Sequence, residues 1–508
     1  MISTMKEDSM SPTKWMRTGK CVVIVLGLCV SIACNKTSAT NTASASDGKI
    51  PITTKSDEAK SEYLTGRDLA DRLLAHESLE HFDKAIALDG DFATAEMARA
   101  NSSPTAKEFF THQLKASVLA DKASEGEKLM ILANEAGANG EVIKQKEYLE
   151  KLLAAYPNDE RAQLAAGNFN FGQQQFEEAA AHFKKATELA PGFSPAYNIL
   201  GYTYRQEGNY ADAEQAFKKY VELIPNDPNP YDSYAELLLK MGRFDDSITQ
   251  YKKALSIDPH FVPSHFGLSA DYTYKGQPEQ AAAELQMMAD QARNDGELRT
   301  AYFGMAVLAS DRGQFDKALA AIDREYAVAE KKNDAVSMAA DLQAQGNILM
   351  AAQKDGEAAK KFAKSLEVTE ASSLSEEQKN NARLQQHFNL AVVAIAKTDY
   401  ASAKTHAEAY RVGAEASKGN FRLRQAHELA GRIAFAQKDY DKAIDELKQA
   451  NEQDPLVLYR ISLAYQAKGD STQAHEFAKK SAEFYPLPQL NYAFVRAKAE
   501  KAEGGGRS

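Results

Sequence analysis

The sequence predicts an all-α solenoid of antiparallel helix pairs, and three observations carry that prediction. Residues 126–295 divide into five consecutive units of 34 residues, beginning at Gly126, Glu160, Ser194, Pro228 and Val262. Residue types recur at fixed places within them. Gly167, Ala179, Phe183, Ala186 and Pro191 of the second unit become Gly201, Ala213, Phe217 and Pro225 in the third. In the fourth they become Ala235, Ser247, Tyr251, Ala254 and Pro259. Finally, strong helix formers dominate nearly every window, and only 15 of 508 residues are proline. A fixed period of this size marks stacked units, each burying an apolar face that it cannot bury alone.

The chain opens with a different kind of segment. Lys14, Arg17 and Lys20 precede an apolar run from Cys21 to Ala33. Its thirteen residues are too few for a helix to cross about 30 Å of hydrocarbon, but they suit a signal-peptide core. The run ends in Ser31-Ile32-Ala33-Cys34, which resembles the processing box of bacterial lipoproteins, with Ser31 where an aliphatic residue is usual. The resemblance implies removal of residues 1–33 and lipid on Cys34. With Asn35 following, it also implies sorting to the outer membrane, facing the periplasm, in a cell with two membranes. An ordinary signal cleaved after Ala33, or a buried apolar helix, is the competing reading. Residues 34–55 are rich in Ser, Thr, Ala and Asn and are expected to be a flexible tether. The three cysteines all fall within the first 34 residues, so the remainder holds no disulfide and no thiolate.

Residues 56–125 read as divergent helical repeats. Gly66, Phe82 and Ala85 match the repeat places, whereas 92–125 is the least regular unit and is broken at Ser102-Ser103-Pro104. Across 296–486 further units continue with altered spacing. Gly313, Phe315 and Ala318 mark one; Gly346, Ala358 and Phe362 mark the next. Beyond a Ser/Glu-rich connector at 371–379 come Ala391, Tyr400 and Ala403, then Gly431, Tyr440, Ala443 and Pro455, then Gly469, Ala474 and Pro486. Ten or eleven helix pairs are expected, followed by a capping helix at 487–501 and a disordered tail at 502–508. Small residues at places 8 and 20 let two helices approach, aromatics such as Phe183 and Phe217 fill the groove between pairs, and Asp-Pro steps separate helices.

This pattern resembles the tetratricopeptide repeat. The resemblance implies a right-handed superhelix in which places 2, 5, 9 and 12 of each unit face a concave groove. By position, Asn168 enters that groove from the second unit, Asn198, Tyr202 and Arg205 from the third, and Asp232 and Glu236 from the fourth. Such a mixture suits an extended peptide, and its acidic part favours a partner segment containing Lys or Arg. The terminal-carboxylate clamp of some relatives is not expected, because Leu164, Ile199 and Ser233 occupy its key places.

Nothing in the chain reads as catalytic, and neither cofactor nor metal is expected. In His76-Glu77-Ser78-Leu79-Glu80-His81 the histidines are five residues apart, about 140° around a helix, and cannot easily share one ion. No P-loop and no Gly-x-Ser-x-Gly elbow occurs. A net charge of −10 without a basic stripe disfavours nucleic acid. The expected function is a non-enzymatic, lipid-anchored scaffold binding another envelope protein. The alternative is an accessory factor of cell-wall or polysaccharide assembly or secretion that also contacts glycan, through Tyr202, Tyr231, Tyr234 and Asp232. The oligomeric state is left open.

Overall fold

Helices begin where the sequence supplies caps. The Ser56 side chain accepts from the Ala59 amide. Asp159 Oδ1 accepts from the amides of Arg161 and Ala162, both at 2.9 Å. Ser124 and Glu127 form a reciprocal capping box. The computed structural model describes residues 48–504. Cys34, the segment 1–33 and most of the 34–55 stretch lie outside the described residues.

Among the described residues the helices form twelve pairs. The first four are α1 (Asp57–Asp71) with α2 (Ala75–Leu88), α3 (Ala93–Asn101) with α4 (Ala106–Leu119), α5 (Glu125–Asn139) with α6 (Val142–Ala155), and α7 (Glu160–Gly172) with α8 (Phe176–Leu189). Next come α9 (Ser194–Gln206) with α10 (Tyr210–Leu223), α11 (Asn229–Lys240) with α12 (Phe244–Ile257), α13 (Val262–Tyr274) with α14 (Pro278–Asp290), and α15 (Asp295–Asp311) with α16 (Phe315–Lys331). The last four are α17 (Ala335–Ala351) with α18 (Asp355–Glu370), α19 (Glu376–Ala396) with α20 (Tyr400–Ser417), α21 (Asn420–Ala436) with α22 (Tyr440–Gln449), and α23 (Pro455–Lys468) with α24 (Ser471–Ala482). Two short helices follow, α25 (Leu490–Ala493) and α26 (Arg496–Gly504). The expected ten or eleven pairs become twelve, because even the irregular segment after Phe92 forms a full pair, α3 with α4.

The small and aromatic places pack as the period implies. Ala179, Ala213 and Ala443 are fully buried, as are Phe183 and Phe217. A Cβ on Gly167 would lie 2.4 Å from the Phe183 ring, and one on Gly201 2.7 Å from the Phe217 ring. Glycine also serves the turn inside a pair, which needs a left-handed backbone: Gly208, Gly242, Gly276 and Gly313 have φ of 68° to 75°. Gln353, Thr398 and Lys438 take the same conformation with a side chain attached. That substitution, together with longer helices, blurs the period after 295. Helices α7 to α14 run 12 to 14 residues, whereas α15 and α17 run 17 and α19 runs 21.

Successive first helices of the pairs touch directly, as α9 does α11 and α11 does α13, a closeness that successive second helices do not reach. The first helices therefore line the inner face of the curve. As the array coils, later repeats meet earlier ones by the same two edges. The turn inside an earlier pair meets the start of a later first helix. Arg72 Nε donates to Asp227 at 2.7 Å, Arg293 to Glu77 at 2.7 Å, and the Lys107 amide to Asp334 at 3.3 Å. Further along, Asn381 donates to the Asn139 carbonyl at 2.9 Å and Gln174 to Asn451 at 3.1 Å.

The heads of α3, α5 and α7 carry the buried carboxylates Asp89, Glu127 and Asp159. Buried acceptors need donors, and residues 49–55 supply them. The Ile50 amide donates to Asp159 at 2.9 Å, Thr53 to Glu127 at 3.1 Å, and Lys55 to Asp89 at 2.9 Å. The tether expected to reach residue 55 is thus a docked extended strap over its last residues. The C-terminal end also differs from expectation. Pro486 and Pro488 keep 484–489 non-helical, and the predicted single capping helix is split, with α25 lying on α15 and α26 on α24. Residues 502–504, expected to be disordered, continue α26.

Candidate functional site

The six groove residues read from the sequence sit on three successive inner helices, α7, α9 and α11. Asn168 on α7 is exposed. Asn198 on α9 has its Oδ1 buried without a hydrogen-bond partner. Tyr202 packs edge-on to Phe217, centroids 5.1 Å apart, and carries the Arg205 guanidinium 4.7 Å above its ring. Arg205 Nη1 in turn donates to Glu236 Oε2 at 2.9 Å, both side chains being under a fifth exposed. Burial pushes the Tyr202 hydroxyl well above its ordinary value.

The structure thus brings Tyr202, Arg205 and Glu236 together and leaves Asp232 out. Asp232 is 5% exposed and accepts from Ser264 Oγ at 2.7 Å. Burial first, then the charge of Glu236, pushes its carboxyl up to about 8, so it is largely protonated near neutral pH. The expected acidic wall for a Lys- or Arg-bearing partner is therefore revised: one carboxyl is neutral and buried, and the other is neutralised by Arg205. The aromatic set proposed for glycan is also dispersed. Tyr231 donates to the Pro225 carbonyl at 3.0 Å and Tyr234 to Glu214 at 2.6 Å, each separately engaged.

Sequence reasoning missed the two residues that follow this cluster along the groove's lip. Lys240 ends α11 and Tyr274 ends α13, both at place 13 of their units. Lys240 Nζ donates to the Phe484 carbonyl at 2.6 Å and sits 3.4 Å from that residue's ring centroid. Burial, with Arg205 nearby, pushes the Lys240 ammonium down to about 7, a cost partly offset by the ring face of Phe484. The Tyr274 hydroxyl donates to the Pro486 carbonyl. Residues 484–489 thereby run past Arg205, Glu236 and Leu239, leaving a cavity of about 320 Å³ between them. A cation and a phenol at one place of adjacent units was the available signal.

Three histidines share one arrangement. His81 Nδ1 lies 2.7 Å from Glu62, His265 2.6 Å from Glu284, and His427 2.8 Å from Glu446, with a constant separation of 19 residues. Each pair ties the two helices of one repeat, which is a structural role. Glu77 of the His76–His81 stretch is held by Arg293. Among the described residues, no group of three or more His, Cys, Asp or Glu side chains could hold a metal ion, and no helix is long and apolar enough to cross a membrane.

Family models for the tetratricopeptide repeat match residues 132–192, 171–228, 229–261 and 425–455. Over those residues the chain carries tetratricopeptide repeats. The repeat fold is a non-catalytic protein-binding module. No curated protein matches the sequence. Among solved structures, MamA protein is 22% identical with a TM-score of 0.28, over 33% of this chain and 91% of that one. The APC/C hetero-tetramer Cut9-Hcn1 is 15% identical with a TM-score of 0.41, over 88% of this chain and 78% of that one. A thermophilic tetratricopeptide-repeat protein of Thermus thermophilus is 20% identical with a TM-score of 0.30, over 34% of this chain and 92% of that one.

Proposed function

We propose that this tetratricopeptide-repeat protein is a lipid-anchored scaffold of a bacterial cell envelope that holds a partner protein along the inner face of its repeats. The observation that carries the binding role is the array itself: among the described residues, twelve stacked helix pairs whose first helices line one curved face. Stacked repeats create extended concave surfaces of the kind these proteins use for recognition. The anchor rests on the sequence: the short apolar run, the Ser31-Ile32-Ala33-Cys34 box, and the polar residues after it. A single lipid chain gives only marginal binding, and stable anchorage takes a second membrane signal beside it. No glycan contact is proposed, since the tyrosines invoked for it are engaged elsewhere.

The anchor and the scaffold are tested together in whole cells. Cys34→Ser is expected to abolish labelling by a lipid precursor and release the chain from the membrane fraction. Affinity capture from solubilised membranes is expected to retain a specific protein partner with the unaltered chain. Continued labelling of Cys34→Ser overturns the anchor; the absence of any specific partner overturns the scaffold reading.

A further inference from the structure

The non-helical segment at 484–489 lies where a partner peptide would lie. It leaves α24 one coil later than α11 and α13 and crosses the ends of both inner helices. Two of its main-chain carbonyls are read by side chains, Phe484 by Lys240 and Pro486 by Tyr274. Its rings are seated as well. Tyr485 packs edge-on to Phe244 at 5.0 Å between centroids and against Tyr274 at 5.8 Å. The same ring lies over Gly242, where an added Cβ would sit 3.2 Å from it. Phe484 carries the Lys240 ammonium on its face.

Carbonyl-directed donors beside aromatic walls are how grooves hold proline-bearing extended chains, whose backbone is preformed and donates few hydrogen bonds of its own. The fit of the chain's own segment is incomplete. Tyr485 is forced to φ 42°, a left-handed conformation unusual for a bulky side chain. Residues 484–489 stay half-buried, and a cavity of about 320 Å³ lies between them and Arg205, Glu236 and Leu239. The firm attachments of this end lie beyond the segment. Asn491 donates to Asp454 at 2.6 Å, and Arg496 binds Asp311 through two nitrogens. Local release of 484–489 therefore does not require release of α26.

We propose that Phe484-Tyr485-Pro486-Leu487-Pro488 is an internal occupant of a peptide site formed by the ends of α11 and α13 and the start of α12, and that the partner segment displacing it is extended, aromatic and proline-bearing. This rests on the scaffold reading and names its partner chemistry and its restraint: the chain shields one recognition site with its own C-terminal segment. If the segment occupies the site about 90% of the time, it weakens the apparent affinity for a competing peptide about tenfold.

The test uses a labelled synthetic peptide, Glu-Phe-Tyr-Pro-Leu-Pro-Gln, copied from residues 483–489. It is titrated by fluorescence anisotropy into the full chain and into the double variant Phe484→Ala/Tyr485→Ala. The variant is expected to bind about tenfold more tightly than the unaltered chain, and Lys240→Met with Tyr274→Phe added to it is expected to remove the gain. Equal affinity of the unaltered chain and a helical double variant, or a gain that survives the Lys240 and Tyr274 changes, overturns the proposal. Should the double variant not fold, hydrogen exchange on the unaltered chain decides. Excess peptide is expected to speed exchange at 484–489 while slowing it at the ends of α11 and α13, and no change at either place overturns the proposal. A chain that captures a partner yet ignores this peptide defeats the internal-occupant proposal and leaves the scaffold intact.

Discussion

Arg496 closes on Asp311 across 185 residues of sequence, Nε donating to one carboxylate oxygen at 2.7 Å and Nη2 to the other at 2.6 Å. Both side chains are mostly buried, at 16% and 7% exposed. The pair fastens α26 to the end of α15 and so ties the last repeats to the middle of the array. Arg496→Ala leaves the Asp311 carboxylate buried without its partner, and such single removals cost roughly 3–5 kcal/mol. The expected result is faster hydrogen exchange through 484–504, with the first repeats unaffected. Replacing both partners, as Arg496→Met with Asp311→Leu, is expected to recover most of the loss.

Overpacking at a repeat's closest contact is the second prediction. Gly201→Leu must push into the fully buried Phe217 ring, at a cost of roughly 1–3 kcal/mol or more. Lys218→Ala removes only an exposed pair with Glu214 and is expected to cost within about 0.5 kcal/mol. Thermal melts followed by circular dichroism should separate the two variants, and equal melting temperatures would contradict this packing.

A third expectation concerns pH. The folded Asp232 carboxyl sits at about 8, above its ordinary 3.8, so the folded state holds the proton more tightly than the unfolded chain. Its contribution is fully present below the ordinary value and is lost as pH rises through about 8. Asp271, buried and bonded to Ser247 Oγ at 2.8 Å, is likewise pushed up to about 8 and acts in the same direction. Asp232→Asn keeps an acceptor for Ser264 and cannot ionise. Its stability relative to the unaltered chain is therefore expected to rise between pH 5 and 8, by up to about 1.4 kcal/mol per unit. Denaturation across that range checks the slope; a difference independent of pH would show that Asp232 does not titrate with folding.

The docked strap supplies the fourth. Asp159 caps α7 and also accepts the Ile50 amide. Asp159→Ala is expected to cost about 1–2 kcal/mol through the lost cap and to free the strap. Limited proteolysis should then cut within 48–56 much sooner than in the unaltered chain, while cleavage elsewhere keeps its order.

By itself the sequence determined the helix pairs of residues 126–295 and their register. Gly201, Ala213 and Phe217 sit where the 34-residue period places them, because contacts between adjacent repeats depend only on local spacing. The same local rule placed Tyr202 and Arg205 on one face of α9. What it could not supply was the meeting of repeats a whole coil apart. Arg72 with Asp227, Lys240 with Phe484 and Arg496 with Asp311 join positions that share no period, and their pairing follows from the pitch of the coil. That pitch accumulates from small rotations at every repeat, so no single motif encodes it. Burial decided the rest: Asp232 reads as a surface acid in sequence, yet the packing of α13 against α11 seals it beside Ser264 and keeps its proton. Only the tertiary structure could decide which groove residues face a partner and which face the chain's own C-terminal segment, because it alone fixes what lies opposite them.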